Sequence, residues 1–334
     1  MTAWWDTISS LAKVVVDVSR TPYKLGSYEF LERKGGPMDD IISRSNLPLI
    51  EEMTKAASLS IRVYDYQSLL ENLSLEIESE FLHDEPICIS YFNKIEKSIW
   101  VICRGTQSAF EACMDYSWLL STSTIDGTTI EVPRLVSLIS QRVMNKLPCL
   151  IEDLIKRHGD IKKIIFTGHS LGGAIASALY VSYKSNTKIS SKTPSTVFTF
   201  GSPLTFLTIP PTDLISDNDV HNVIYQLDVI PRILGNHEIP PTLIDSDWGK
   251  NFIGFINSHD IKRSDYKCWG KYYCLQPEVS HLRKSSLSIS IDPYSLISVF
   301  PEHVHSLLYA IAHDHSCHLY LETLEGCLEE CLGK

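Results

Sequence analysis

Several features of common protein classes are scarce or absent in this chain of 334 residues. Its apolar N-terminal stretch, residues 3–18, is interrupted by Asp6 and Asp17, so we expect neither a signal peptide nor a membrane span. Basic residues are outnumbered, with 30 Lys and Arg against 40 Asp and Glu, and the formal net charge is −10. Because no basic stripe offsets this balance, the composition argues against a nucleic-acid partner.

The cysteine pattern contains no C-x-x-C zinc spacing. The nine cysteines are an odd number and none forms a C-x-x-C pair, which excludes the usual structural zinc motif, and we expect no metal or other cofactor. Several lie in apolar runs, where a free thiol behaves as a small core residue. We therefore predict an intracellular protein, cytoplasmic or peripheral on membranes, whereas Cys268 and Cys274 could pair in an exported one.

No internal repeat or low-complexity tract divides the chain, and 44% of its residues are hydrophobic. This length and composition can bury one large core, so residues 1–334 are predicted to form a single domain. Within it we predict an N-terminal amphipathic helix at residues 1–20, a lid at 107–130, and an insertion or cap at 235–288. The N-terminal helix either packs on its own domain or places its tryptophans in a lipid interface.

The most informative stretch is a strand, a sharp turn and a helix around Ser170. An apolar run at residues 164–167 favours a buried strand, and residues 174–180 favour a close-packed helix. Between them, residues 168–172 read Gly-His-Ser-Leu-Gly, the G-x-S-x-G pattern of a nucleophile elbow. Its glycines allow the strained backbone that exposes the serine hydroxyl at the end of the strand. The alternative is an ordinary glycine-rich turn with Ser170 as a helix N-cap.

A nucleophilic serine needs a base, and the base needs an orienting carboxylate. Elbow proteins carry them in the chain order Ser, Asp or Glu, His, and both partners are available here. Asp228 ends an alternating strand pattern, where open α/β sheets gather catalytic groups. Weaker substitutes for the acid are Asp213, Asp217 and Asp219. The candidate bases, in the loop before a C-terminal amphipathic helix or at its start, are His303, His305, His313, His315 and His318.

These residues resemble the class 3 lipase family, the α/β-hydrolases related to fungal triacylglycerol lipases. The resemblance rests on the elbow, on Phe-Gly-Ser-Pro at residues 200–203, on the acid-x-x-Pro segment at 228–231, and on the histidine segment at 314–324. Residues 101–106 resemble the strand and turn that supply an oxyanion donor. The family implies an α/β-hydrolase fold, in which helices cover both faces of a mostly parallel central sheet.

The resemblance also implies a role for each site residue. Ser170 would attack an ester carbonyl, His315 would carry the proton, and Asp228 would orient the imidazole. The backbone N–H groups of Thr106 and Leu171 would hold the oxyanion, with the Thr106 hydroxyl as a helper.

Some positions depart from the family pattern or stay open. Cys103 stands where the family usually has an aromatic residue, and its His-x-Gly-Phe segment is not recognisable near residues 132–134, which leaves substrate preference open. His315 fits the family spacing best, and His318 is the alternative base.

The sequence thus predicts a serine hydrolase that cleaves carboxylic esters of lipids, either acylglycerols or glycerophospholipids, through an acyl-enzyme intermediate. A catalytically silent lipase-like interaction protein and a lipid acyltransferase are the alternatives. The expected partner is a lipid ester, with peripheral contact to a membrane or lipid-droplet surface, and the oligomeric state is open. Apolar lid residues, Trp118 and Leu119 among them, would cover the site in water.

The remaining elements follow from periodicity. We predict helices at residues 49–64 and 135–158, a hairpin that pairs 87–92 with 99–103, and strands at 197–200 and 223–227.

Overall fold

A computed structural model describes the parts of the chain discussed below. They are residues 36, 38–65, 69, 79–85, 87–105, 122–125, 129–185, 193–211, 215–232, 265–277, 285–299 and 313–333.

The described residues build one large sheet, a two-stranded sheet and surrounding helices. The strands are β1 Met38–Asp40, β2 Ser79–Glu85, β3 Cys88–Asn93, β4 Ser98–Cys103, β5 Thr122–Thr124, β6 Glu131–Pro133, β7 Lys163–His169, β8 Ser195–Phe200, β9 Val220–Tyr225, β10 Lys271–Gln276 and β11 Ser286–Ser290. The α-helices are α1 Leu47–Arg62, α2 Arg134–Met144, α3 Leu147–His158, α4 Leu171–Ser185, α5 Pro293–Ser298 and α6 Cys317–Leu332.

The large sheet has the strand order β1-β11-β10-β9-β8-β7-β4-β3-β2. Its centre, from β4 through β7, β8 and β9 to β10, is parallel, while the outer strands on both sides pair antiparallel. The central strands are buried on both faces, which is the usual state of parallel strands because helices cover them. The predicted fold class, a mostly parallel sheet between helical layers, is confirmed.

Two apolar layers flank this sheet. On one face, α2, α3 and α4 pack on strand residues such as Val101, Phe166 and Val197. On the other face, α1 and α6 pack on Trp100, Ile165 and their neighbours. Alternation of side chains along each strand assigns successive residues to opposite layers, so one parallel strand serves both cores. Among the described residues, no helix combines the length and apolar content needed to cross a bilayer.

Several predicted elements are confirmed and two are corrected. Helix α1, the β3–β4 hairpin, β8 and β9 lie where they were predicted, within a few residues. The single helix predicted at residues 135–158 is wrong, because the structure has two helices, and Pro148 lies in the first turn of the second one. A proline there starts a new helix readily, since its missing N–H would have no partner at that end.

The second correction concerns the predicted insertion or cap at residues 235–288. Its last part contains β10 and most of β11, which belong to the central sheet, so this part is not an insertion. The sequence pattern was obscured because β10 reads Lys-Tyr-Tyr-Cys-Leu-Gln and so contains one aliphatic residue. Residues 233–264 lie outside the described residues.

Two other predicted segments are described only in part or not at all. The N-terminal helix at residues 1–20 lies outside the described residues. Of the predicted lid, residues 106–121 and 126–128 lie outside them as well, while β5 pairs with β6 and Ile125 and Ile130 are buried in the core.

A buried histidine in the sheet gives a test of stability against pH. His221 stacks on Phe198 with ring centroids 4.8 Å apart and its Nδ1 pairs with the Tyr273 hydroxyl at 2.9 Å. Burial lowers the pKa of His221 to about 3, well below its ordinary value in an unfolded chain. The unfolded state therefore binds a proton that the folded state does not, and stability falls as the pH drops from about 6.5 toward that folded value.

We expect His221→Gln to flatten this acid dependence by up to about 1.4 kcal/mol per pH unit. Urea unfolding at a series of pH values measures it. His318→Gln, at an exposed position on α6, is the matched control and should keep the wild-type slope. An unchanged slope in His221→Gln would show that His221 is not buried in its neutral form.

Candidate active site

The strand-turn-helix around Ser170 forms as predicted. β7 ends at His169, α4 begins at Leu171, and Ser170 between them has φ of 57°, in the left-handed region that non-glycine residues rarely adopt. The Ser170 N–H donates to the Phe200 carbonyl at 2.9 Å, which ties the turn to the end of β8. This strain is held by the surrounding sheet and aims the serine at the carboxyl edge.

The glycines of the elbow are required by contact distances. A Cβ atom added to Gly172 would lie 2.2 Å from the Cys103 carbonyl oxygen, and one added to Gly168 would lie 2.4 Å from the Gly172 carbonyl carbon. No side chain fits at such distances, so α4 can approach β4 and β7 only through glycine.

Asp228 and His315 form a fully buried pair. β9 ends at Tyr225, and the chain turns through Gln226, which has φ of 38°, before it reaches Asp228. His315 Nδ1 lies 2.8 Å from Asp228 Oδ2 and 3.0 Å from Oδ1. Both side chains are 0% exposed. A carboxylate in this place fixes the imidazole tautomer, with the proton on Nδ1 and the lone pair on Nε2.

The residue after β8 brings this pair beside Ser170. Phe200 accepts the Ser170 N–H, and a Cβ atom added to the next residue, Gly201, would lie 2.6 Å from Asp228 Oδ2 and 3.0 Å from His315 Nδ1. Among the described residues, neither Ser170 Oγ nor His315 Nε2 has a hydrogen-bond partner. The hydrogen bond between Ser170 and His315 is therefore not formed, which is common for catalytic groups without a ligand. The three predicted triad residues meet at one edge of the sheet.

Two buried side chains that the sequence reasoning did not assign support the acid. The Tyr320 hydroxyl donates to Asp228 Oδ2 at 2.6 Å and accepts the Tyr225 N–H at 3.0 Å. Burial, and next the Asp228 charge, raise the pKa of Tyr320 well above its ordinary value, so the hydroxyl stays a donor. Arg232 is fully buried and donates to the carbonyls of Asp228, Gln226 at 2.9 Å and Leu296 at 3.3 Å.

These contacts hold the acid turn from both sides. Burial lowers the pKa of Arg232, while the neighbouring anionic groups, Asp228 among them, oppose that shift. The signal for Arg232 was its place directly after the proline of the acid-x-x-Pro segment, within a buried turn. Tyr320 was visible only as part of the helix that follows His315, because its reach to Asp228 depends on how that helix packs.

Asp314 links the histidine turn to the acid turn. Its Oδ2 accepts the Leu227 N–H at 3.2 Å, and its Oδ1 lies 3.0 Å from His313 Nδ1. Burial raises the pKa of this carboxyl, and the His313 contact opposes the rise. The Asp314 side chain therefore ties the turn that carries His315 to the main chain directly before Asp228.

The alternative acids and bases are described only in part. Asp217 and Asp219 precede β9, at the amino end of the strand, and are remote from the edge that carries Ser170. Asp213, His303 and His305 are outside the described residues. His318 is exposed on α6, whereas His313 contacts Asp314. The predicted preference for Asp228 and His315 agrees with this geometry.

The predicted oxyanion donors are described only in part. Leu171 is the first residue of α4, where backbone N–H groups have no helical partner and the helix dipole favours negative charge. Thr106 lies outside the described residues. The preceding Gly105 is close to the elbow, since a Cβ atom added to it would lie 3.3 Å from the Ser170 Cβ.

Gly201→Ala tests the close approach of β8 to the acid–histidine pair. Gly201 has φ of +56°, and the added methyl group would contact both Asp228 and His315. We expect loss of about 1 kcal/mol of stability from the backbone alone, and a fall of about 10- to 100-fold in kcat from displacement of the pair.

Gly159→Ala is the matched control for this substitution. Gly159 has φ of +76°, yet nothing lies within 4 Å of an added Cβ atom. It should lose similar stability and keep wild-type kcat. Equal kcat in the two variants would contradict the close approach. Urea unfolding and ester hydrolysis measure the two effects.

Comparisons with known proteins find lipase sequences and structures that are similar to this chain. Residues 100–238 match the sequence model of the family Lipase (class 3). Phospholipase A1 PLIP1, chloroplastic, from Arabidopsis thaliana is 33% identical over 141 residues, which is 40% of this chain. The aligned stretch is 21% of that relative, so the chain spans about a fifth of its length.

Solved structures of fungal lipases share the fold. The Rhizomucor miehei lipase in its propeptide complex has a TM-score of 0.55 at 16% identity, covering 81% of this chain and 83% of that one. Lipase II from Rhizopus niveus has a TM-score of 0.54 at 17% identity, covering 81% and 97%. Residues 100–238 thus resemble the class 3 lipase family, and the chain has the α/β-hydrolase fold of the fungal lipases.

Proposed function

We propose that this protein is a serine hydrolase that cleaves carboxylic esters of lipids. The observation that carries the proposal is the fully buried Asp228–His315 pair, 2.8 Å apart, beside a serine with a left-handed backbone at the start of a helix. The match of residues 100–238 to the class 3 lipase family and the phospholipase A1 relative support lipid ester hydrolysis in general. The serine mechanism and the kind of lipid are our proposal.

In the proposed reaction His315 takes up a proton and gives it back twice, once in acylation and once in deacylation. Ser170 Oγ attacks the ester carbonyl while His315 Nε2 takes its proton, and Asp228 stabilises the imidazolium that forms. The oxyanion is held by the N–H groups of Leu171 and Thr106. When the intermediate collapses, His315 gives the proton to the leaving alcohol and an acyl-enzyme remains. Water then attacks the acyl carbonyl carbon and gives a proton to His315. When this second intermediate collapses, the bond between the acyl carbon and Ser170 Oγ breaks, His315 returns the proton to Ser170 Oγ, and the fatty acid leaves.

The substrate class follows from the relatives only in outline. The Arabidopsis relative is named a phospholipase A1, and it shares 33% identity over the aligned residues. The solved neighbours include triacylglycerol lipases, but at about 16% identity they inform on the fold alone. We therefore propose glycerolipid esters, with glycerophospholipids and acylglycerols as the two head-group classes to separate.

A panel of purified lipids tests the proposal. The protein is incubated with phosphatidylcholine, phosphatidylglycerol, diacylglycerol and triacylglycerol. Each lipid carries different acyl chains at its different glycerol positions. Released fatty acid, measured by mass spectrometry, is the expected product and identifies the position cleaved. A fluorophosphonate probe should label Ser170 in the same preparation. Labelling with acyl transfer to an added alcohol in place of fatty acid release would favour an acyltransferase, and no labelling would refute the serine mechanism.

A further inference from the structure

His169, the residue before the nucleophile, is buried in a network that the proposed mechanism does not use. Its Nε2 lies 3.0 Å from the main-chain carbonyl oxygen of His315, and its Nδ1 lies 3.1 Å from the Tyr64 hydroxyl. The imidazole rings of His169 and His315 stack with centroids 4.6 Å apart and an angle of 34° between them. The His169 ring therefore contacts the proposed base at two places, the imidazole ring of His315 and its main-chain carbonyl.

The directions of these hydrogen bonds follow from the chemistry of the groups. A carbonyl oxygen only accepts, so Nε2 of His169 carries the proton that it shares with His315. Burial, and next the nearby His315, lower the pKa of His169 well below its ordinary value, so the ring is neutral and Nδ1 is an acceptor. The Tyr64 hydroxyl must then donate to Nδ1. Burial raises the pKa of Tyr64, which keeps that proton in place.

Tyr64 also contacts the start of the predicted oxyanion loop. A Cβ atom added to Gly105 would lie 2.4 Å from the Tyr64 hydroxyl oxygen and 2.7 Å from the His169 carbonyl oxygen. The Gly105 backbone beside this hydroxyl partly opposes the rise in the Tyr64 pKa. Since the hydroxyl gives its proton to His169, it is free to accept the backbone N–H of Gly105.

We propose that Tyr64 and His169 are positioning residues, forming a one-way hydrogen-bond chain that couples the oxyanion loop at Gly105 to the main chain of His315. The chain runs from the Gly105 N–H through Tyr64 and His169 to the His315 carbonyl. It passes beside Ser170 without touching the reacting atoms. A neutral His169 also avoids placing a second positive charge against His315 when that ring carries the serine proton. This inference rests on the proposed function.

Kinetics of matched variants test the chain. His169→Phe keeps a ring in the stack but loses both hydrogen bonds, and should lower kcat about 10- to 100-fold while KM changes less than about threefold. His169→Gln, whose amide N–H can reach the His315 carbonyl, should recover part of that loss. Tyr64→Phe should lower kcat to a smaller extent. The double variant Tyr64→Phe/His169→Phe should be no slower than His169→Phe, because both changes break one chain.

The control is Tyr91→Phe. Tyr91 lies on β3 and is buried in the same apolar cluster against which Tyr64 packs. Among the described residues its hydroxyl has no hydrogen-bond partner, so kcat should stay at the wild-type value. The coupling is refuted if both single variants keep wild-type kcat, or if their effects multiply in the double variant. If these variants are normal while Ser170→Ala is inactive, the chain fails and the proposed function stands.

A spectroscopic readout works without enzymatic activity. Long-range ¹H–¹⁵N spectra of the imidazoles distinguish the two neutral tautomers and the charged ring. His169, assigned through His169→Gln, should be a neutral Nε2–H tautomer from about pH 6 to about pH 8. An Nδ1–H tautomer or a ring that becomes charged in that range would overturn the proposed direction of the chain, even if the wild-type protein hydrolysed no ester.

Discussion

Replacing Ser170 with alanine should lower ester hydrolysis by at least about 10⁴-fold and abolish fluorophosphonate labelling. The reason is that the proposed covalent intermediate forms on Ser170 Oγ, so that only binding and oxyanion stabilisation remain without it. The fold should survive. Alanine is smaller than serine and, among the described residues, Ser170 Oγ has no hydrogen-bond partner to lose. The substitution adds no backbone strain, because alanine in this left-handed conformation is strained to a similar degree as serine.

The matched control is Ser182→Ala on the same helix. Ser182 Oγ donates to the Ala178 carbonyl at 2.9 Å, one turn back along α4. This variant should keep wild-type hydrolysis, with circular dichroism and urea unfolding as measures of folding for both proteins. Near-normal turnover of a short-chain ester by folded Ser170→Ala would refute the nucleophile.

Asp228→Asn should lower kcat by about 10⁴-fold while the fold persists. In the wild-type protein the Asp228 carboxylate accepts from His315 at 2.8 Å, from Tyr320 at 2.6 Å and from the Ile230 N–H at 3.0 Å. An asparagine must turn its NH₂ group toward one of these donors. If that donor is His315, its Nδ1 becomes the acceptor and Nε2 carries the proton, so His315 can no longer take a proton from Ser170.

Asp219→Asn provides the control for this change. Asp219 lies at the amino end of β9 and accepts from the Tyr180 hydroxyl at 3.3 Å, a bond that an amide oxygen can keep. Its kcat should stay within about twofold of wild type. If Asp219→Asn lost activity while Asp228→Asn kept it, the assignment of Asp228 as the triad acid would be refuted. Esterase kinetics and fluorophosphonate labelling rates measure both variants.

The site could be predicted to different depths at different residues. Ser170 followed from local sequence alone, because a nucleophile elbow needs only a buried strand, two glycines and a helix that adjoin along the chain. Asp228 followed less directly, since its strand ends at Tyr225 and a turn with a positive φ at Gln226 carries the acid to its place. His315 was one of five histidines, and only the resemblance to a family favoured it.

Elements far from the site divided in the same way. The β3–β4 hairpin was predictable because its two strands adjoin in sequence across a short polar turn. β10 was missed because its residues do not alternate between polar and apolar, as those of a strand with one buried face do. Its place in the sheet depends on β9 beside it. The break between α2 and α3 was marked by Pro148, but the apolar periodicity continues through both helices and concealed it.

The sequence by itself determined the fold class and the strand-turn-helix elbow that carries Ser170, because both depend on local patterns of alternating strands and helices and of glycines around a serine. Only the tertiary structure decided which acid and which histidine meet, since Asp228 and His315 are separated by 87 residues and are brought together at 2.8 Å by the edge of a parallel sheet. The same holds for Tyr320, Arg232 and the Tyr64–His169 contacts. Each is a hydrogen bond across packed elements, and its energy depends on burial and on distances that the order of residues does not contain.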